Sequence, residues 1–288
     1  MTLGLERGTV ALVDHEREWE DEAARTIGVL RRILGDSAVD IRHVGSTSIP
    51  TIKAKPIIDI AVGVRDLDEV LQYENDLLTA AFHYRPHDDL ADQLLFAAGS
   101  FYDGTGRMQT HFIHVVEYGG RQWRDYNNFR ELLIRFPHIA KEYEAVKLAL
   151  AEECGVDAGR KRYLAGKHPF ITRTLVTAEA FSHVGRTAHI TVDRPAHSAH
   201  PAHPDMIYPV NYGFVPGTLA PDGEPIDAYL LGVSEPIAGC DARIAAVIRR
   251  KDDAEDKLVA AVGAEPTRDG IITAVDFCER YFDIEILM

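Results

Sequence analysis

The sequence predicts an α+β protein of two domains, an α/β domain followed by a small β-barrel. Three observations carry this. Apolar runs alternate with helical periods through the first part of the chain, proline and glycine density rises past residue 185, and the remainder breaks into short β-branched runs between turns. These changes place the domains at residues 8–175 and 183–288.

In chain order, "TVALV" at 9–13 is short and β-branched and predicts a strand. "EREWEDEAARTIGVLRRIL" spaces Trp19, Ala23, Ile27 and Leu30 near the helical period. "KPIIDIAVGV" is an apolar run broken by one acid, as in a strand buried on both faces. "DLDEVLQYENDLLTAAF" predicts a helix capped by Asp66, with Glu69 three residues on. A polar loop through Gly106 leads to a strand in "MQTHFIHVVEY". Two helices follow in "WRDYNNFRELLIRF" and "HIAKEYEAVKLALAEECG", the second ending at Gly155. Helical periodicity lapses near 175–185. Beyond it "HITVD", "AYLLGV", "ARIAAVIRR" and "KLVAAV" predict strands, and "ITAVDFCERYF" a terminal helix or strand.

Composition narrows the partners. With 31 basic and 45 acidic residues the formal net charge is −14, which argues against a surface that tracks a nucleic-acid backbone. An acidic protein that handles phosphates needs placed cations or divalent metals. The three cysteines, Cys154, Cys240 and Cys278, form no CxxC pair and suggest neither a disulfide framework nor a zinc site. No leader pattern opens the sequence and no apolar run approaches membrane-spanning length, so a soluble cytoplasmic protein without a membrane partner is expected. The sequence is compatible with a homo-oligomer.

Two stretches carry chemistry. In "PDGEPID" Gly223 lets the loop turn and Pro225 fixes entry to a strand, so Asp222 and Glu224 can converge while Asp227 points away from Ile226 across the pleat. Hard cations such as Mg²⁺ take several carboxylate oxygens and keep waters in the remaining positions. A second acidic group, "KDDAED", ends against Lys257 in a hairpin turn. Two acid clusters beside a lysine suit a phosphate site with more than one metal, and suit two solvated turns equally. Near the N-terminus, "RHVGSTSIPTIKAKPIIDIAVGV" sets the Gly45-Ser46 turn, with Ser48 after it, 14 residues ahead of Asp59. Such a turn can offer backbone and hydroxyl donors to phosphates, with Asp59 holding Mg²⁺ beside them. A buried aspartate can also be a satisfied structural residue.

"YPVNYGFVPGTLAPDGEPIDAYLLG", residues 208–232, resembles the signature of the soluble inorganic pyrophosphatases. The resemblance implies an OB-like β-barrel of the inorganic pyrophosphatase type, Mg²⁺ as cofactor and hydrolysis of pyrophosphate. It implies metal ligation by Asp222, Glu224 and Asp227, with Glu224 where the family has Asp and Asp227 helping to activate water. "KDDAEDKLVAA" is similar to the family's second acidic segment, adding Asp252, Asp253 and Asp256 as metal candidates and Lys257 as a phosphate contact. Tyr212 and Tyr281 match tyrosines that bond phosphate. Where the family carries a longer hairpin with a glutamate, a lysine and an arginine, this chain has "VDRPAHSAHPAHPDMIYP", in which Asp193, Arg194, His200 and His203 are the available replacements. After Tyr281 the family has a lysine and this chain has Phe282. Fewer cations around the leaving phosphate would slow hydrolysis or favour another phosphoanhydride.

The N-terminal stretch, with "THFIHVVEYGGRQWRDYNNFRELLIRFPHIAKEYEAVKLAL", resembles the GrpB-like family of the nucleotidyltransferase superfamily over about residues 8–172. It implies an α/β nucleotidyltransferase-like domain with Gly45, Ser46, Ser48 and Lys55 at phosphates and Asp59 at metal. Ala61 stands where that superfamily places a second acid. His111 and His114 are candidates to complete the site, and Arg107 is a further phosphate candidate. The fusion implies a nucleoside triphosphate partner, whose pyrophosphate product the second domain would remove. The rival expectation is a nucleotide- or phosphate-binding regulatory protein with degenerate sites.

Overall fold

In the computed structural model, which describes residues 2–88, 92–154 and 159–288, the chain divides between Thr172 and Arg173 into two compact units. Among the described residues no helix is long and apolar enough to cross a membrane.

The first unit is built on a five-stranded sheet in the order Ala38–Val44, Ile58–Val64, His111–Glu117, Gln93–Ala98, His83–Tyr84. Ile58–Val64 and His111–Glu117 run parallel and the other pairs are antiparallel. Side chains alternate across a strand. Ile58, Ile60, Val62 and Val64 therefore share one face and join the core of Trp19, Ala23, Leu30 and Leu34 from the helix Glu18–Leu34. Asp59, Ala61 and Gly63 share the other. There Ala61 packs with Val44, Val116 and Trp123, the last from the helix Arg121–Arg135. The helices Pro137–Cys154 and Gly159–Phe181 pack closely, the rings of Tyr143 and Phe170 stacking at 5.4 Å.

Several expectations give way here. "TVALV" is no strand: Val13 alone bridges to Ala54. Ala38–Val44 and Gln93–Ala98 are strands that local pattern did not announce, because the first alternates Asp40 and Arg42 along one face and the second is six residues long. The helix after Asp66 breaks into Leu67–Val70, a 3₁₀ turn and Glu74–Thr79, although Asp66 does cap it, accepting the N–H of Asp68 at 2.9 Å. The helix end expected at Gly155 lies outside the described residues. Helical structure continues to Phe181 through Pro169, whose missing N–H does not end it.

The second unit is an OB-like barrel. Lys257–Ala261, Asp227–Leu231, Asn211–Phe214, Thr187–Arg194 and Gly239–Arg250 pair in that order, and Lys257–Ala261 pairs back onto Gly239–Arg250 to close it. The 12-residue strand Gly239–Arg250 serves three partners in succession, ending on Ile284–Leu287, a strand the sequence pattern did not mark. A register shift between Ile244 and Ala246 lets it bend. The last periodic segment is the helix Arg268–Glu279, capped by Thr267, which closes the core with Ile271 and Val275 against Tyr229, Val259 and Ile248.

Candidate functional site

The barrel brings three predicted residues together. Asp227 begins its strand, Tyr212 lies one strand over and Lys257 begins the parallel strand on the other side, so all three meet at one end. Tyr212 donates to Asp227 Oδ2 at 2.7 Å and Lys257 Nζ donates to the same oxygen at 2.6 Å. Lys257 also donates to Glu255 at 2.8 Å. Burial alone would lower the Lys257 pKa, but the Asp227 carboxylate and Glu255 outweigh it and hold the ammonium above its usual value. Burial, then the Asp227 charge, pushes the Tyr212 phenol up, so it remains a donor. Arg194 lays its guanidinium 5.5 Å from the Tyr212 ring centre and pairs with Asp193 at 2.8 Å. These groups form one polar patch of hydrogen-bond donors and acceptors.

Asp222 and Glu224 lie on the exposed turn that precedes the Asp227 strand, where Asp222 accepts the Glu224 N–H at 3.0 Å. The second acidic group is committed elsewhere. Asp252 accepts the N–H of Asp283 at 3.0 Å and Asp253 accepts from Arg250 at 3.1 Å. Asp256 is buried, with both oxygens held by Arg173 and a further bond from the Arg250 N–H. In chemistry the first trio, being all oxygen, has the donor type a hard divalent cation takes, though the three side chains are not gathered around one point. The expected joining of both groups into one centre is not seen, and among the described residues no three His, Cys, Asp or Glu side chains form a group that could hold a metal ion.

Tyr281, His200 and His203 line a separate open cavity in which Asp227 takes no part. Tyr281 is 69 % exposed. His200 accepts the N–H groups of Ala202 and His203 and stacks on Tyr208, which is work for the hairpin itself. Phe282, in the place of the family lysine, lies under the Arg250 guanidinium at 3.7 Å. Arg250 in turn grips the fully buried Glu279, which also accepts from Tyr229 at 2.6 Å.

In the first unit the Gly45 turn meets Asp59 as expected. Gly45 has φ +69°, and a Cβ there would lie 2.9 Å from the Asp59 Cβ and Cγ, so backbone and neighbour both require glycine. The Ser48 hydroxyl bonds back to the Gly45 carbonyl at 2.7 Å, and so braces the turn. His114 Nε2 lies 3.5 Å from Asp59, and its other ring nitrogen 3.1 Å from the Tyr126 hydroxyl. His111 is on the opposite face, as three residues along a strand demands, bonded to Thr26 and 3.3 Å from Glu22. Arg107 pairs with Glu6 on a surface ribbon. Ala61 is fully buried among apolar groups, which excludes a carboxylate from that position without a cost in desolvation.

Ser46, Lys55 and Asp59 line a cavity of about 190 Å³ together with residues the sequence did not single out: Tyr143, Lys147, Tyr163 and Lys167. One signal was present. Tyr143 to Lys147 and Tyr163 to Lys167 are both Tyr-x-x-x-Lys, a spacing that puts ring and ammonium on one helix face.

A scan against family models matches GrpB protein over residues 9–177 and inorganic pyrophosphatase over residues 183–284. The glutamate-rich protein GrpB of Alkalihalophilus pseudofirmus is 39 % identical over 152 residues, 52 % of this chain and 86 % of that protein. The UPF0157 protein YqkA of Bacillus subtilis is 29 % identical, over 56 % of this chain and 45 % of its own. A soluble inorganic pyrophosphatase of Oryza sativa is 33 % identical over 84 residues, which span 28 % of this chain and 36 % of that one. The crystal structure of GrpB from Enterococcus faecalis aligns with a TM-score of 0.50 at 24 % identity, covering 57 % of this chain and 97 % of that one, and so shares its fold. The chain therefore belongs to the GrpB family, and joined to its GrpB domain is a C-terminal domain of the inorganic pyrophosphatase type.

Proposed function

We propose that the C-terminal barrel hydrolyses pyrophosphate, with Mg²⁺ held by Asp222, Glu224 and Asp227, and that the GrpB domain binds a nucleoside triphosphate whose transfer releases that pyrophosphate. The observation that carries the first part is the shared oxygen of Asp227, which receives both the Tyr212 hydroxyl and the Lys257 ammonium. Mg²⁺, held there by Asp222, Glu224 and Asp227, would neutralise phosphoryl oxygens and so would lower the barrier to attack. The chain's own groups do the rest. Asp227 accepts the proton of the attacking water, the P–O–P bridge breaks, and Lys257 and Arg194 carry charge to the leaving phosphate. Tyr212, kept protonated by its burial, donates to a phosphoryl oxygen when substrate displaces it from Asp227.

The reading predicts phosphate release from pyrophosphate by the whole chain with Mg²⁺, none in EDTA, and a loss of at least ~10²-fold in Asp227→Asn, the usual size for a group central to transition-state charge. Equal release by variant and wild type would remove Asp227 from the chemistry. Substituting ATP or dinucleotide polyphosphates in the same assay reveals hydrolysis of another phosphoanhydride. A second reading, a phosphate-binding regulatory domain, is favoured by the commitment of Asp252, Asp253 and Asp256 to internal partners. Binding of pyrophosphate with no release by wild type would establish it. A cytoplasmic setting fits both readings.

A further inference from the structure

Arg130, in the helix Arg121–Arg135, is half-buried and unmatched. Among the described residues it has neither a hydrogen bond nor an ion pair, and its Nε–H is shut from solvent with no acceptor. The residues three and four away on the helix, Tyr126, Asn127, Leu133 and Ile134, include no acid. The two acids of that helix face other cations, Asp125 facing Arg121 at 3.8 Å and Glu131 facing Arg42 at 3.4 Å. A lysine so placed could shed its proton, whereas an arginine cannot, so the charge stays. Partial burial makes such a charge costly until a ligand brings the opposite sign.

The contacts of the same helix face say where Arg130 falls. A Cβ on Gly63 would lie 2.9 Å from the Trp123 ring, so Trp123 sits at the Gly63 end of its strand. One turn on, Tyr126 bonds to His114 and Asn127 accepts from Arg42 at 3.3 Å, and both His114 and Arg42 pair with Ala61 across the sheet. The helix thus runs from Gly63 towards Asp59. From Tyr126 to Arg130 it rises about 6 Å, and from Ala61 back to Asp59 the strand covers about 7 Å. Arg130 therefore comes level with Asp59 and the Gly45 turn. His43, beside that turn, senses both charges, Asp59 raising its pKa and Arg130 lowering it. Arg130 is not among the residues that line the cavity of Ser46 and Lys55. A ligand that meets both is extended, as a chain of phosphates is.

We infer that Arg130 binds the triphosphate chain in the GrpB domain, its guanidinium fork taking phosphoryl oxygens that lie outside the cavity of Ser46 and Lys55. This rests on reading the domain as one that binds a nucleoside triphosphate, and adds a binding residue from a different element. An arginine that only balances Asp59 through space is the alternative.

The test titrates the full chain calorimetrically with inorganic triphosphate and with ATP, in EDTA so that no divalent ion supports binding in the barrel. Wild type should bind both, and Arg130→Met should bind each at least ~10-fold more weakly, as loss of a charge-assisted contact does. Any binding of adenosine should not depend on Arg130. Because Arg130 has no partner among the described residues, Arg130→Met should melt no lower than wild type. Tryptophan fluorescence reads that melt, since Trp19 and Trp123 both lie in this unit. A melting temperature lower by more than about 4 °C would assign Arg130 to the fold and overturn the inference. Arg130→Gln replaces Arg130→Met if the latter fails to fold, and is judged on the same loss of binding. Lys55→Ala separates the two readings. If it weakens triphosphate binding and Arg130→Met does not, the domain binds phosphates without Arg130 and the inference alone falls. If neither variant weakens binding, or wild type binds neither compound, both readings fall.

Discussion

His43 sits with its Nε2 3.0 Å from the Thr47 hydroxyl, and burial pushes its pKa down to about 4, with the Asp59 charge opposing. In the unfolded chain a histidine titrates near 6.5. Between pH 6.5 and 4 the unfolded state therefore binds more protons, and stability falls as pH falls through that window. Full expression by pH 4.5 amounts to roughly 2 to 3 kcal/mol. Urea unfolding of wild type and His43→Gln at pH 7 and pH 4.5 measures it: wild type should lose more than the variant by about that amount, and equal losses would show that His43 does not set the acid limit. Phe282 teaches a different lesson at this scale. Read from the sequence it is a missing phosphate cation, and in the fold it is the ring beneath Arg250, a residue already neutralised by Glu279. Its replacement by lysine would set two cations together over a buried acid, which explains why the position is apolar here.

At the scale of elements, the turn that carries Gly45 is the join between the strand Ala38–Val44 and the 3₁₀ turn Ser46–Ser48. Both its left-handed backbone and its approach to Asp59 demand glycine. Gly45→Ala should cost about 1–3 kcal/mol in a thermal melt. Adding Asp59→Ala should return part of that loss, because it removes the Cγ and carboxylate contacts and leaves the Cβ approach and the backbone strain. No recovery would mean that the carboxylate is not what excludes a side chain. The same scale shows why the acidic motif was legible and the lysine cavity was not. Asp222, Glu224 and Asp227 lie within six positions, and Asp227 meets Tyr212 and Lys257 by pairing of three strands, of which the pattern announces those of Asp227 and Lys257. Lys147 and Lys167 face the Asp59 side only because two long helices pack against each other, and helix periodicity does not say which partner a face will meet.

At the scale of the molecule, Arg173 and Asp256 are 83 residues apart and form an ion pair within the second unit, the acid buried and the guanidinium half-buried. Removing one partner of such a pair leaves a buried charge unmatched and costs about 3–5 kcal/mol. Trp19 and Trp123 report only the first unit. For Arg173→Ala, far-ultraviolet circular dichroism should therefore show an early loss of barrel structure that tryptophan fluorescence does not follow. Coincident shifts by both probes would mean that the units unfold as one. Four of the barrel's strands and the acidic loop were legible in local sequence, because strand alternation, turn residues and short-range spacing need no knowledge of distant partners. Two decisions waited for the fold. Packing turned Asp256 inward, where Arg173 and the Arg250 N–H hold it, and packing gathered lysines from a loop and two helices into one cavity, since charge placement across elements is set by how their apolar faces meet.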